Sequence, residues 1–127
     1  MRLRQAAGDQ RGLSETLNNL GVQMAESEEL DAAWHYGEQA LRLKVDLGHV
    51  SGVASTLFNL AEVAQVQNDV ECACRLAQAS ASLFQRIGSP LSKYAEDIEE
   101  SCATDEEAPD LSNLSLDEIV AWALYPL

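Results

Sequence analysis

The sequence predicts an all-α fold built from pairs of antiparallel helices, and three observations lead to it. Alanine and leucine recur along the 127 residues, whereas glycine and proline are few, which favours helices over strands. The apolar residues follow the 3.6-residue period of a helix. The chain also matches itself after 40 residues, a period typical of helix pairs that stack into an α-α superhelix, or solenoid.

The internal repeat is visible when the chain is aligned with itself at this offset. The matched positions combine glycines, apolar residues and an Asn-Leu step: Gly8 with Gly48, Gly12 with Gly52, Thr16-Leu17 with Thr56-Leu57, Asn19-Leu20 with Asn59-Leu60, and Ala33 with Ala73. A third and weaker copy begins at Ile87-Gly88. Two full repeats with partial repeats on either side are therefore predicted.

The first helix pair is predicted over residues 11–47. Its first helix carries an apolar stripe at helical spacing, namely Leu13, Leu17, Leu20, Gly21 and Met24. Gly48 follows the second helix, as Gly88 does one repeat later, at the place where a left-handed cap needs a residue without a Cβ atom. Because Gly8 stands in the same place one repeat earlier, we expect residues 2–7 to end a preceding helix, so that the chain begins within a repeat.

The second helix pair is predicted over residues 51–87 and repeats the same stripe with Val53, Leu57, Leu60, Ala61 and Ala64. A further helix is predicted from Pro90, which suits a first helical turn, to about Cys102. Polar residues there replace the apolar positions of an ordinary repeat. We therefore expect a capping helix with a polar outer face, as the ends of solenoids require.

The C-terminal segment, residues 104–127, is predicted to be an acidic loop and a short helix, separate from a repeat domain over residues 1–103. Ser115 and Glu118 have the spacing of a capping box, in which each side chain satisfies a helix-end donor near the other. The apolar face of this helix must dock on a surface. The open end of the solenoid and a partner protein are the two alternatives.

The motif Leu-x-Asn-Leu-Gly/Ala, followed by Ala and then Ala-Leu, resembles the tetratricopeptide repeat. The residues that carry it are Leu17, Asn19, Leu20, Gly21, Ala33, Ala40 and Leu41, then Leu57, Asn59, Leu60, Ala61 and Ala73. The 40-residue period is similar to the subtype of kinesin light chains and to arrays in bacterial signalling ATPases and transcription regulators. The resemblance covers residues 1–88 well and 89–103 poorly. Ser80 departs from the motif, because the equivalent position in the first repeat is Ala40.

Net charge excludes several classes of partner. The chain carries a formal charge of −13, all eight basic residues lie at or before Lys93, and ten acidic residues follow Tyr94. Nucleic-acid affinity comes largely from lysine and arginine displacing counterions, so direct nucleic-acid binding is not expected. The same repulsion argues against anionic membranes. Three cysteines and no signal segment favour a cytoplasmic location.

Catalytic and metal chemistry is not predicted. Cys72 and Cys74 are two positions apart on a helix, so their side chains point in nearly opposite directions and cannot share one ion. The many carboxylates fall in polar surface stretches, whereas acid–base catalysis needs a pair with separated pKa values. No phosphate loop or nucleophile motif is present in the sequence. We expect neither an enzyme nor a bound cofactor.

The resemblance implies instead a concave groove, lined by the first helices, that binds a peptide. The residues assigned to it are Asn18, Asn19, Val22, Phe58, Asn59, Glu62 and Gln65, with Phe58 as the apolar anchor. An asparagine amide can pair with a peptide backbone, although Asn19 and Asn59 could equally bind neighbouring helices. Lacking lysine and arginine, the groove should accept a neutral or basic ligand.

The predicted function is therefore a protein-interaction scaffold. The resemblance suggests that it forms the C-terminal part of a larger bacterial regulatory or signalling protein. The alternative is a self-associating structural spacer with no separate peptide ligand. In that case a truncated N-terminal helix would stack on a second copy and form a homodimer.

Overall fold

The computed structural model of the protein describes residues 2–100 and 110–124. These residues form six α-helices: α1 (Arg2–Glu26), α2 (Leu30–Asp46), α3 (Val50–Val66), α4 (Val70–Arg86), α5 (Ser92–Glu100) and α6 (Leu116–Leu124). Neither range contains a strand, so the all-α fold class is confirmed. None of the described helices is long and apolar enough to cross a bilayer.

The helices recur at the 40-residue offset found in the sequence. Helix α4 begins and ends 40 residues after α2, and α3 ends 40 residues after α1. Each of the first three connections, and the one after α4, contains one residue with left-handed backbone: Glu28 (φ 63°), Gly48 (φ 67°), Asn68 (φ 62°) and Gly88 (φ 68°). The glycines were predicted to take this conformation, whereas Glu28 and Asn68 were not. These four residues fall 20 positions apart, so each reverses the chain after one helix.

The predicted helix break at Gly8 is wrong. Helix α1 has 25 residues against 17 in α3, and it continues through both Gly8 and Gly12. A glycine permits a left-handed cap but does not impose one, and inside a helix it costs only about 1 kcal/mol. Helix α1 is therefore the longest of the six described helices.

The fifth helix also differs from its prediction at the N-terminal end. Pro90 and Leu91 form a turn, and α5 begins at Ser92. Its predicted C-terminal end at Cys102, like the predicted loop from Ala103 to residue 109, lies outside the described residues. Ala95 and Ile98 bury the inner face of α5 against α4.

Consecutive helices pack on one another, from α1 against α2 through to α5 against α4. Small residues allow the closest crossings between these helices. Gly37 on α2 is an example, because a Cβ atom there would lie 2.6 Å from Leu60 Cδ2 on α3. The apolar cluster is drawn from α2 to α6 and includes Leu57 and Leu83, both fully buried.

Helix α6 docks on the described chain, but not at an open end of the helix array. It packs on α4, with Ile119 and Ala123 fully buried, and it flanks a crevice whose other wall is α2. Of the two alternatives, docking is found on the described chain itself, on α4 rather than at the open end. The apolar side chains of α6 belong to the core or pack against it: Leu116, Ile119, Val120, Trp122, Ala123 and Leu124.

Two arginines of α4 hold this C-terminal segment in place. Arg86 Nη2 donates to three backbone carbonyls, those of Leu111 (3.1 Å), Ser112 (3.3 Å) and Leu114 (3.0 Å). Arg75 Nε donates to the carbonyl of Ala123, near the end of α6, at 3.4 Å. Cations are favourable at a helix C-terminus, where carbonyls lack helical partners.

The predicted capping box is present at the start of α6. The backbone N–H of Ser115 donates to the Glu118 carboxylate at 3.1 Å, and the N–H of Glu118 donates to Ser115 Oγ at 3.2 Å. Both bonds satisfy donors that the helix itself leaves free. The helix start was therefore predictable from four residues.

Candidate functional site

A groove of about 290 Å³ lies between α1, α2 and α3. Its walls are mostly apolar, and its lining residues are Asn18, Gly21, Val22, Ala25, Glu26, Leu30, Ala33, Gly37, Asn59, Leu60, Glu62, Val63 and Val66. Gly21 and Gly37 keep it deep, because each packs tightly against a neighbouring helix with no side chain in the way. Val22 and Val66 are 37% and 64% exposed, so apolar surface faces the solvent at its rim.

A polar network joins three helices beside this groove. Lys44 Nζ on α2 donates to Thr56 Oγ1 on α3 at 3.0 Å. The Thr56 hydroxyl donates in turn to Asn18 Oδ1 on α1 at 3.3 Å. Asn59 Nδ2, also on α3, donates to the same Asn18 oxygen at 3.3 Å. Asn18 and Asn59 therefore face each other across the α1–α3 contact and both border the groove.

Lys44 is an unusual member of this network because it is only 5% exposed. Burial lowers the pKa of Lys44 below its usual value, and the nearby carboxylate of Glu15 offsets part of that shift by raising it. One repeat later the same position is Phe84, which is equally buried. A cation thus occupies a place where the repeat elsewhere has an aromatic ring.

The charge of the groove is acidic. Its lining includes the carboxylates of Glu26 and Glu62 and contains no lysine, arginine or histidine. Partial burial raises the pKa of Glu62, and a cation seated beside this carboxylate would counteract that shift by favouring the ionised form. The predicted absence of basic side chains from this surface therefore agrees with its lining.

Four of the seven residues assigned to peptide binding line the groove: Asn18, Val22, Asn59 and Glu62. Asn19 and Gln65 are exposed and lie outside its lining. Phe58, proposed as the apolar anchor, is half-buried and packs against the core cluster. The exposed apolar residues in the lining of the groove are instead Val22 and Val66.

Lys44 and Thr56 were missed when the sequence was considered alone. Both sit on helical faces that are otherwise apolar, and both are buried. The available signal for Lys44 was its mismatch with Phe84 in the second repeat, whereas Thr56 matches Thr16 and gave no such signal. The side-chain pairing of Asn18 with Asn59 also answers the question left open for Asn59, which does bind a neighbouring helix.

A second open surface lies at the edge formed by α1 and α2. It is a crevice of about 350 Å³ lined by Leu13, Leu17, His35, Glu38, Gln39, Arg42, Leu43 and Asp46. Leu13 is 50% exposed, whereas its repeat equivalent Val53 is fully buried. The first repeat therefore leaves open a surface that the second repeat covers.

Comparisons with known proteins give no relative: no family model, curated protein or solved structure matches the chain. Within residues 2–100 and 110–124, no three histidine, cysteine, aspartate or glutamate side chains are grouped closely enough to hold a metal ion. The groove and its polar network must therefore be interpreted from their own chemistry.

Proposed function

We propose that the protein is an interaction module that binds a neutral or basic peptide segment in the groove between α1, α2 and α3. The observation that carries this proposal is the combination of exposed apolar rim, asparagine pair and carboxylates in one concave surface. Ligand sites are concave, mostly apolar and equipped with a few polar groups, and this groove has all three properties.

The resemblance to tetratricopeptide repeats supports the same proposal. In such a superhelix the first helices face the ligand, and here α1 and α3 supply most of the lining. The charge supports a basic rather than an acidic ligand, since Glu26 and Glu62 would repel a carboxylate. A place within a larger signalling or regulatory protein is part of the proposal and rests on that resemblance alone.

Peptide pools of opposite charge test the proposal. Basic, neutral and acidic nonapeptide pools are titrated against the full chain at low and high salt, with fluorescence anisotropy as the readout. We expect the basic pool to bind best and to weaken as salt rises. Preference for the acidic pool, or equal weak binding of all three, would refute it.

A matched pair of variants connects this binding to the groove. Glu62→Gln should weaken binding of the basic pool about two- to fivefold, the usual effect of losing a partly exposed ion pair. Glu71→Gln removes the same charge from an exposed position on α4, away from the groove, and should have no effect. Equal effects of the two variants would show that only overall charge matters.

Self-association is the second candidate, and the open edge of α1 and α2 favours it. Leu13 and Leu17 lie there beside side chains of both signs, among them Arg42 and Asp46. Under two-fold symmetry, opposite charges on this edge can pair with their equivalents on a second copy, which reduces the repulsion between two strongly acidic chains. A dimer of this kind would use the open edge of α1 and α2.

Light scattering distinguishes this candidate from a monomeric peptide binder. Leu13→Gln should abolish a dimer, whereas Val70→Gln, which changes a valine that is 59% exposed at the start of α4, should leave it intact. A wild-type protein that is monomeric at all accessible concentrations eliminates the candidate. A dimer that survives Leu13→Gln would place the contact elsewhere.

A further inference from the structure

We propose that a crevice at the starts of α2 and α4 binds the guanidinium group of an arginine side chain that a partner polypeptide supplies. This site is separate from the groove between α1, α2 and α3, and it does not depend on peptide binding there. The residues that carry the inference are an indole ring, that of Trp34, and two carboxylates, those of Asp31 and Asp69.

The crevice has a volume of about 240 Å³ and lies where the start of α2, the end of α3 and the start of α4 meet. Its lining residues are Asp31, Trp34, Ala64, Gln67, Asp69 and Cys72. The buried Ala64 and Cys72 form an apolar floor, and the three polar residues are exposed at the rim. The crevice therefore combines an aromatic ring, an apolar floor and a rim of oxygen atoms.

Both aspartates keep carboxylate oxygens available to a ligand. Asp69 Oδ1 caps α4 by accepting the backbone N–H of Cys72 at 3.2 Å, which leaves Oδ2 without a partner among the described residues. The carboxylate of Asp31 forms no hydrogen bond or ion pair within residues 2–100 and 110–124. Two negative charges therefore face this crevice with no cation of the described chain bound to either.

The floor of the crevice carries no compensating charge. Burial and the charge of Asp69 raise the pKa of the Cys72 thiol, and Arg75 offsets part of that shift, so the thiol stays protonated at neutral pH. Arg75 itself donates through Nε to the carbonyl of Ala123 at 3.4 Å and is not part of the lining. No lysine, arginine or histidine lines the crevice, so its charge favours a cationic ligand.

Trp34 offers its ring rather than its polar edge. The indole N–H donates to Glu38, which lies one turn further along α2 and outside the crevice. Trp34 is half-buried and packs against the core cluster, but the equivalent position in the second repeat is Cys74, a much smaller side chain. Stacking of the repeats therefore does not require an aromatic ring at this position.

Among cations, a guanidinium matches these groups best. The face of a tryptophan ring attracts cations, and a planar guanidinium can stack on that face while its N–H groups donate to carboxylates. A lysine ammonium has no flat surface to stack. A quaternary ammonium has no donor for the aspartates and is best recognised by several rings, whereas one ring lines this crevice.

The test follows the full chain by NMR while the blocked tripeptide acetyl-Gly-Arg-Gly-amide is added. Two matched tripeptides replace the arginine by lysine or by citrulline, which keeps the planar end group without its charge. We expect a saturable shift of the Trp34 indole N–H signal. The arginine peptide should bind about two- to fivefold more tightly than the lysine peptide, the usual contribution of a ring and a cation at an exposed site, and about tenfold more tightly than the citrulline peptide. The indole signal of Trp122 on α6 is the internal reference and should not move.

Variants connect the binding to the crevice, with the backbone N–H signal of Gln67 as the readout. Asp31→Asn and Asp69→Asn should each weaken binding of the arginine peptide about two- to fivefold; asparagine caps a helix as well as aspartate does, so the start of α4 is kept. Trp34→Leu should remove the preference for arginine over lysine. Asp97→Asn is the matched control, because it removes the same charge from an exposed position on α5, and it should have no effect. Circular dichroism confirms that each variant is folded.

Several results would overturn the inference. They are the absence of a saturable Trp34 shift up to the solubility limit of the peptide, equal binding of the arginine and citrulline peptides, and equal weakening by Asp97→Asn and Asp31→Asn. Equal binding of the arginine and lysine peptides would refute recognition of a guanidinium. Glu62→Gln separates this site from the groove: if it weakens tripeptide binding and Asp31→Asn does not, the tripeptide binds in the groove, so the inference fails while the proposed function stands.

Discussion

The close crossing of α2 and α3 gives a prediction in which one substitution has two different effects. Gly37 and Gly12 both lie in helices, where replacing glycine by alanine stabilises by about 1 kcal/mol through backbone entropy alone. At Gly12 an added Cβ atom meets no described heavy atom within 4 Å. Gly12→Ala should therefore raise the free energy of unfolding by up to about 1 kcal/mol.

At Gly37 the same methyl group has no room. It would lie 2.6 Å from Leu60 Cδ2 and 3.2 Å from Leu60 Cγ, where carbon atoms in contact prefer about 3.5–4.0 Å. Leu60 is 1% exposed, so it cannot swing into solvent, and either the side chain or the helix must move by about 1 Å. Overpacking of this kind costs about 1–3 kcal/mol.

The helix-propensity gain is common to both substitutions, so the difference between them isolates the strain. Gly37→Ala should be less stable than Gly12→Ala by about 1–3 kcal/mol, measured by urea unfolding with circular dichroism. In a double-mutant cycle, Leu60→Val should relieve part of the loss by shortening the side chain that clashes. If both alanine variants gain the same stability, Leu60 yields without cost and the crossing does not depend on glycine.

Three further predictions concern the buried cation and the C-terminal segment. Burial lowers the pKa of Lys44 in the folded protein, so the unfolded chain binds more protons at pH values between that lowered pKa and the ordinary one. The stability of the wild type relative to Lys44→Met should therefore rise with pH through this window. If urea unfolding shows that this relative stability falls as pH rises, the prediction is wrong. Arg86→Met removes the donor to three backbone carbonyls. It should lower the free energy of unfolding by about 1 kcal/mol and speed amide hydrogen exchange across α6. Unchanged exchange would show that apolar packing alone holds α6 in place. Ser115→Ala should cost about 1 kcal/mol by removing the helix cap, and combining it with Glu118→Ala should cost less than the sum if the two caps depend on each other.

Much of the fold could be predicted because its determinants are local. The spacing of apolar residues set the four long helices, and the 40-residue offset of α2 and α4 follows from it. Gly48, Gly88 and the Ser115–Glu118 capping box act within one helical turn, so the sequence contains the whole interaction. Gly8 misled because a glycine allows two backbone conformations, and nothing nearby selects between them.

The rest depended on contacts between distant residues. The position of α6 is determined by its packing on α4 and by Arg86, whose partners lie 25 to 28 residues further along the chain. No spacing rule connects an arginine to backbone carbonyls of a later segment. Similarly, the sequence placed Asn18 and Asn59 on the same surface, but not within hydrogen-bond distance of each other.

The candidate site lies where the two repeats stop being equivalent. Stacking two helix pairs needs only the apolar positions that the repeats share, and these build the core. Along the groove the equivalences fail: Asn18 corresponds to Phe58, and Lys44 corresponds to Phe84. Both phenylalanines pack in or against the core, so polar residues at these positions are not needed to form a repeat. The polar network is therefore a feature of the α1–α2–α3 contact that the stacking of repeats does not require.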